Sequence, residues 1–329
     1  MIYRRIFVHA LIFPAALLIT GCQRTVDDLP KGLFMQKYQM KSYPIGRFLI
    51  DIPEKAIFEG VSVRFDGMSI RVSKQKEKNI AALAKQRIAS LSSTKPSENK
   101  FVDSFLSDDG TQSIILYTDT PGYKGGGKIE SHLLVGANGP LLETTDAYGE
   151  DKKQTAIKFT REVLDLIKPV NSESTAKNFV ADGYQIGTTD PKFGEKVGAV
   201  FILNETIIIA FTTHVMVPST EAGLIERTKS TLKDTQLANT VQVLRMNKRN
   251  VASFEGEEVI YKNLKGSPEA ITHNFEWQFK GRNQIAAPAM KLSMELRGDS
   301  INPAAMSDED ALSLWDTVLR SVQVRPGAN

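Results

Sequence analysis

A single cysteine, Cys22, serves a chain of 329 residues. Its scarcity excludes an internal disulfide framework and a cysteine-built metal site, since both need at least two thiols. Histidine is nearly as sparse. His9, His132, His214 and His273 stand apart, with no His-x-x-x-His spacing for a metal and no neighbouring carboxylate, so each reads as a packing residue. A charge of one sign is also lacking: 41 Lys and Arg face 38 Asp and Glu. No basic tract of the kind a nucleic-acid backbone requires is present. There is no G-x-S-x-G nucleophile elbow, and no intact P-loop. GYKGGGKI (122–129) comes near that pattern, but Ile129 stands where magnesium needs a hydroxyl. It reads as a glycine-rich surface loop.

What is present begins with the place of the lone thiol. Arg4 and Arg5 precede the apolar block 6–19, which is too short to span a bilayer and has the layout of a secretory signal. ALLITGC (16–22) then looks like a lipobox, in which small residues precede a cysteine that becomes lipidated and N-terminal. The bland alternative is an ordinary cleaved signal with a chance cysteine. On the first reading residues 1–21 are a signal peptide, Cys22 is the lipidation site, and several acyl chains hold the protein on a membrane durably. Gln23, rather than Asp, follows the cysteine, which resembles sorting to the outer membrane, facing the periplasm. Removing Arg4 and Arg5 from the 41 basic residues leaves 39 against 38 acids, a near-neutral mature chain.

Residues 22–42 carry little periodicity and read as anchor and tether. Beyond them a pattern occurs twice, giving an N-terminal domain over 43–170 and a C-terminal domain over 171–329. VSVRFDGMSIRV (61–72) alternates around Asp66-Gly67, the signature of a type I′ hairpin. Ile80, Leu83, Ala84, Ile88 and Leu91 follow at helical spacing. Strands are expected at 111–118, 128–135 and 140–148, then a helix through Ala156, Phe159, Val163 and Leu166 that stops at Pro169. In the second copy GAVFIL (198–203) and TIIIAFTT (206–213) flank Asn204-Glu205, and a helix follows Pro218. Strand patterns at 250–263, 273–282 and 290–299 lead to a closing helix, capped by Ser307 with Asp310 and apolar along Ala311, Trp315, Val318 and Leu319. The expected class is α+β: two tandem similar domains, each an antiparallel sheet with its helices packed on one face.

The remaining polar features read as structural. Glu257 and Glu258 would face opposite sides of a strand, and Asp308, Glu309 and Asp310 sit where a helix dipole favours negative charge. Trp277 and Trp315 lie on apolar faces and belong in a core. No catalytic residue, cofactor site or metal site emerges, so the chain reads as a binding protein rather than an enzyme. Its candidate contacts are loops rich in Gly and Pro at 120–128, 187–198 and 280–288, through Tyr123, Lys124, Lys192, Phe193, Lys280 and Arg282.

Five segments in order, FVADGYQIG (179–187), HVMVPSTEAGLIERT (214–228), VASFEGEEVIY (251–261), HNFEWQFKG (273–281) and DALSLWDTVLRSVQVR (310–325), resemble one known family. It is the fourth class of lipase-cognate immunity proteins, lipoproteins that neutralise type VI secretion phospholipase effectors. YPIGRFLIDIPE (43–54) resembles the opening of that family's N-terminal domain. The resemblance implies two domains, a lipid anchor in the periplasm, and a toxin gripped so that substrate cannot enter. It implies scaffold roles for Gly256, Phe275 and Trp315, and carries over no toxin-contacting residue. The alternatives are an envelope scaffold or secretion-apparatus lipoprotein without inhibitory role, and a hydrolase with an unfamiliar site.

Overall fold

The computed structural model describes residues 38–75, 78–93, 99–118, 126–170, 178–187, 194–215, 220–233, 238–264, 271–298 and 306–326. Cys22 and the lipobox lie outside them. The first half opens on a hairpin, β1 (Met40–Ile45) and β2 (Phe48–Pro53). The strand therefore begins three residues inside the expected tether. Next come β3 (Ile57–Phe65) and β4 (Met68–Val72), with Phe65 paired to Met68 across Asp66-Gly67. Both turn residues have positive φ, 52° and 91°, as the type I′ geometry demands. Helix α1 (Ile80–Ser93) leads to β5 (Lys100–Leu106), β6 (Gln112–Thr118), β7 (Gly127–Leu134) and β8 (Leu141–Tyr148). Helix α2 (Lys153–Leu166) and a short β9 (Ile167–Pro169) close the half.

The second half repeats this order element for element. Hairpin β10 (Phe179–Ala181) and β11 (Tyr184–Ile186) precedes β12 (Glu195–Leu203) and β13 (Ile207–His214), joined through Asn204-Glu205 at φ 51° and 60°. After α3 (Leu224–Leu232) run β14 (Val241–Val251), β15 (Phe254–Asn263), β16 (Ile271–Phe279) and β17 (Ala289–Arg297). Helix α4 (Asp308–Ser321) and β18 (Gln323–Val324) finish the chain. At the start of α4 the Ser307 hydroxyl accepts from the Asp310 N–H at 3.1 Å, the cap expected there.

Pairing shows how the halves combine. Twelve strands form one sheet in the order β14-β15-β16-β17-β13-β12-β3-β4-β8-β7-β6-β5. Read outward from the centre, each half has the same connectivity, and the two join antiparallel along β3 and β12. The leading hairpins are closed reciprocally. β18, at the end of the second half, pairs with β2, while β9, at the end of the first, pairs with β11. Gly46 and Val180 bridge the two hairpins, and Arg47 reaches Glu195 with two bonds of 2.7 and 2.9 Å.

One apolar cluster runs under both halves. It gathers Ile52, Phe65, Leu116 and Val163 with Phe211, Phe275, Trp277 and Trp315. Phe275 stacks 5.6 Å from Trp315, and Gly256 lies so close to Trp277 that an added Cβ would overlap the indole. These contacts explain why the three positions carry scaffold roles.

The antiparallel α+β class is as expected, but the helices do not share a face. In β6, Ile114 and Leu116 join the cluster that contains Val163 and Leu164 of α2, while Ile115 and Tyr117 pack with Ala84 and Leu91 of α1. Successive strand residues point to opposite sides, so α1 and α2 cover opposite faces. The second half does the same. Glu258 meets Trp315 of α4, whereas Glu257 accepts from the Ile225 N–H at the start of α3.

Candidate partner-binding face

Two helices therefore flank one side of the sheet. Cross-strand partners carry that side from α3 to α1: Glu257, Gln278, Lys291, Thr212, Gly198 and Ser62 lie in one row. Arg64, Ser69, Thr145, Glu130 and Ile115 continue it. Between α3 over β15 and α1 over β6, no helix among the described residues covers β16, β17, β13, β12, β3, β4 and β8 on this side. At ~4.8 Å per strand the gap is about 30 Å wide, walled by helices about 10 Å thick. This is an open trough whose floor crosses the seam between the halves.

The floor changes character along the strands. At one end Ile202 pairs with Ile57 and Ile208, and Ile57 is 61% exposed. Next comes Val200, 37% exposed, between Gly60 and Ala210. A Cβ added at Gly60 would meet nothing, so the space above it is free of described residues. Gly198 follows, between Ser62 and Thr212, and then Lys196 between Arg64 and His214. The floor thus runs from apolar, through small residues, to cationic. Burial, then the charges of Lys196 and Arg64, hold the His214 imidazole below its usual pKa.

Of the residues singled out from sequence, Lys280 and Arg282 follow β16 at the cationic end. Tyr123, Lys124, Lys192 and Phe193 lie outside the described residues. Their flanking strands nevertheless fix the rim: Tyr117 of β6 pairs near the start of β7, Phe65 with Glu195, and Phe279 with Met290. The ends of β6, β3, β13 and β16 all sit on this side of the sheet, so their last described residues share one rim. Lys280 is exposed and its ammonium donates to the Glu221 carbonyl. Arg282 is exposed, with its backbone N–H on the Ala287 carbonyl at 2.8 Å. Beside Lys280 a cavity of about 180 Å³ is lined by Leu224, Lys248, Glu255, Glu257 and Phe279. The trough floor itself was missed in the sequence, because only register reveals which alternating residues share a face.

The histidines are not as solitary as their spacing suggests. His273 Nε2 lies 3.0 Å from Asp308 Oδ1, and its Nδ1 lies 3.1 Å from the Thr272 hydroxyl. That hydroxyl is within 3.2 Å of the Leu296 carbonyl, to which it donates, and Lys262 holds the same aspartate at 2.7 Å. The hydrogen bond from Lys262 is the main cause that keeps the Asp308 carboxyl below the usual range. The set latches the first turn of α4 onto the sheet. His132 Nδ1 stands 3.3 Å from Ser113 Oγ, but Ser113 is wholly buried. A nucleophile there could meet no substrate. Ile129, from the near P-loop, is core. Among the described residues no cluster of His, Cys, Asp and Glu is arranged to hold a metal.

Two like halves thus share one sheet, and the face across their seam is exposed among the described residues. Residues 180–327 match the family described as the Tle cognate immunity protein 4 C-terminal domain. This bears out the resemblance to the fourth class of lipase-cognate immunity proteins. No curated protein matches the chain. Among solved structures, the apo immunity protein TplEi of the type VI secretion system of Pseudomonas aeruginosa superposes with a TM-score of 0.74. It is 20% identical and covers 89% of this chain and 99% of its own. A chain of the Tle4–Tli4 complex gives 0.74 at 19% identity, covering 87% and 98%. TplEi complexed with an "L" peptide gives 0.68 at 19%, over the same shares. The fold is common to all three.

Proposed function

We propose that this protein is an immunity protein that binds a lipase effector of a type VI secretion system and occludes it without turning over a substrate. The observation that carries the reading is the match of residues 180–327 to the Tle cognate immunity protein 4 C-terminal domain. The trough supplies the place. Its floor, about 30 Å wide and about 20 Å along the strands, offers ~600 Å². A stable interface takes ~800 Å² from each partner. The walls and the cationic rim must therefore contribute, which gives Lys280 and Arg282 a part.

The mature protein stands in the periplasm, fixed by acyl chains on Cys22 to the outer membrane. A lipase delivered there attacks the bilayer to which its inhibitor is fastened. The test is titration of the full chain, in detergent, against its cognate type VI secretion lipase. Phospholipid hydrolysis should fall to nothing at a one-to-one ratio. Undiminished hydrolysis at excess would overturn the reading.

A further inference from the structure

Arg64 on β3 and Lys196 on β12 are directly opposed across the seam of the sheet, and His214 stands opposite Lys196 on the other side. Directly opposed side chains have Cβ atoms ~5 Å apart, and like charges so placed are destabilising. Proteins usually relieve such a pair with a carboxylate. Here none is found among the described residues. The Arg64 guanidinium donates through Nε to the Gly67 carbonyl at 2.9 Å, Lys196 has no acidic partner, and both side chains are exposed. The neighbours on the same face are Ser62, Ser69 and Thr212, which are uncharged. Glu195, next in sequence, points to the other face and is taken by Arg47.

The opposite end of the same floor bears apolar surface, exposed at Ile57 and Val200 and half-buried at Ile202, some six residues away along β12. That is about 20 Å at ~3.4 Å per residue, the length of ~13 helical residues. Between the two ends lie Gly60, Gly198 and Ala210, over which a backbone or helix can come close. We infer that the trough receives an elongated segment of the bound effector that is acidic at the Arg64–Lys196 end and apolar at the Ile57–Ile202 end. This rests on the proposed function and adds to it the chemistry and direction of the bound segment. An anionic bilayer would also attract the two cations. The flanking helices favour a protein, because walls about 10 Å high hold a flat surface off the floor.

The experiment measures association of the full chain with its cognate type VI secretion lipase. Wild type, the pair Arg64→Glu with Lys196→Glu, and the control Lys158→Glu on α2 of the opposite face are compared between about 50 and about 500 mM salt, roughly one decade. For wild type and control the affinity should fall at least roughly tenfold over that range, mostly through the association rate. The double variant should bind at least about tenfold more weakly at low salt and lose most of the salt dependence. Its unchanged thermal transition checks that it folds, and salt titration of wild type alone still decides the matter if it does not. Association of wild type that ignores salt, or a double variant equal to wild type, overturns the inference and leaves the proposed function standing. Failure of wild type to bind the lipase at all overturns both. Preferential retention of wild type on phosphatidylglycerol vesicles over phosphatidylcholine vesicles, lost in the double variant while lipase binding is kept, overturns it in favour of a membrane surface.

Discussion

The indole Nε1 of Trp315 donates to Oε1 of Glu258 across 2.7 Å, and neither residue has any exposed surface. One carboxylate thereby fastens α4 to β15, and it is shared with Arg249 at 2.7 Å and Arg245 at 3.5 Å. Asp316, the next residue of α4, takes both arginines at 2.7 Å. Four charges alternate beneath one helix.

Glu258→Ala should strip three donors of their acceptor at once. Breaking a buried pair from one side costs ~3–5 kcal/mol, and urea unfolding should register a loss of that order. Glu258→Gln, which keeps an acceptor for the indole, should lose less.

Acid should release the same helix. Burial works to raise the Asp316 pKa, yet the hydrogen bond from Arg245 and the charges of both arginines outweigh it and hold the carboxyl below its usual value. A depressed carboxylate stabilises the fold above its unfolded pKa of ~4, and that contribution disappears as pH falls through the lower folded value. Thermal unfolding of wild type and Asp316→Asn, followed from about pH 6 to about pH 3, should therefore converge as the pH drops.

Ser62 is exposed on the trough floor beside Gly198. Ser62→Trp should fill the space above the small residues and abolish inhibition of the lipase. Because the site is exposed, the thermal transition should stay within ~0.5 kcal/mol of wild type. Full inhibition by this variant would mean that the floor is not the contact.

Cys22→Ser should abolish incorporation of labelled palmitate in cells while leaving the circular dichroism of the chain unchanged. Equal labelling of variant and wild type would refute lipidation at that thiol.

Much of this architecture could be read from local pattern, and the parts that could not share a cause. Asp66-Gly67 and Asn204-Glu205 announce their turns because tight hairpins demand positive φ, a constraint held within two residues. Helix α4 carries its own cap and apolar stripe. By contrast β14 escapes notice, since VQVLRMNKRNV looks like a charged surface run. Arg245 and Arg249 are neutralised by Asp316, 71 and 67 residues later, and only the folded sheet brings them together. Periodicity likewise identifies which stripe of α1 is apolar without saying which side of the sheet it meets. The binding face is subject to the same limit: Arg64 and Lys196 are 132 positions apart in the chain and become neighbours through the pairing of β3 with β12. His273 and Asp308 illustrate it again on a smaller scale.

The crossed closure of the hairpins has a bearing on biogenesis. Phe48 pairs with Ile45 inside its hairpin, but its partner on the other edge, Val324, belongs to β18 and is made last. A chain made from its N-terminus must therefore be nearly complete before its opening hairpin is sealed on that edge. Closure becomes a late event, and a chain that stopped short of Gln323 would leave the outer edge of β2 without its partner.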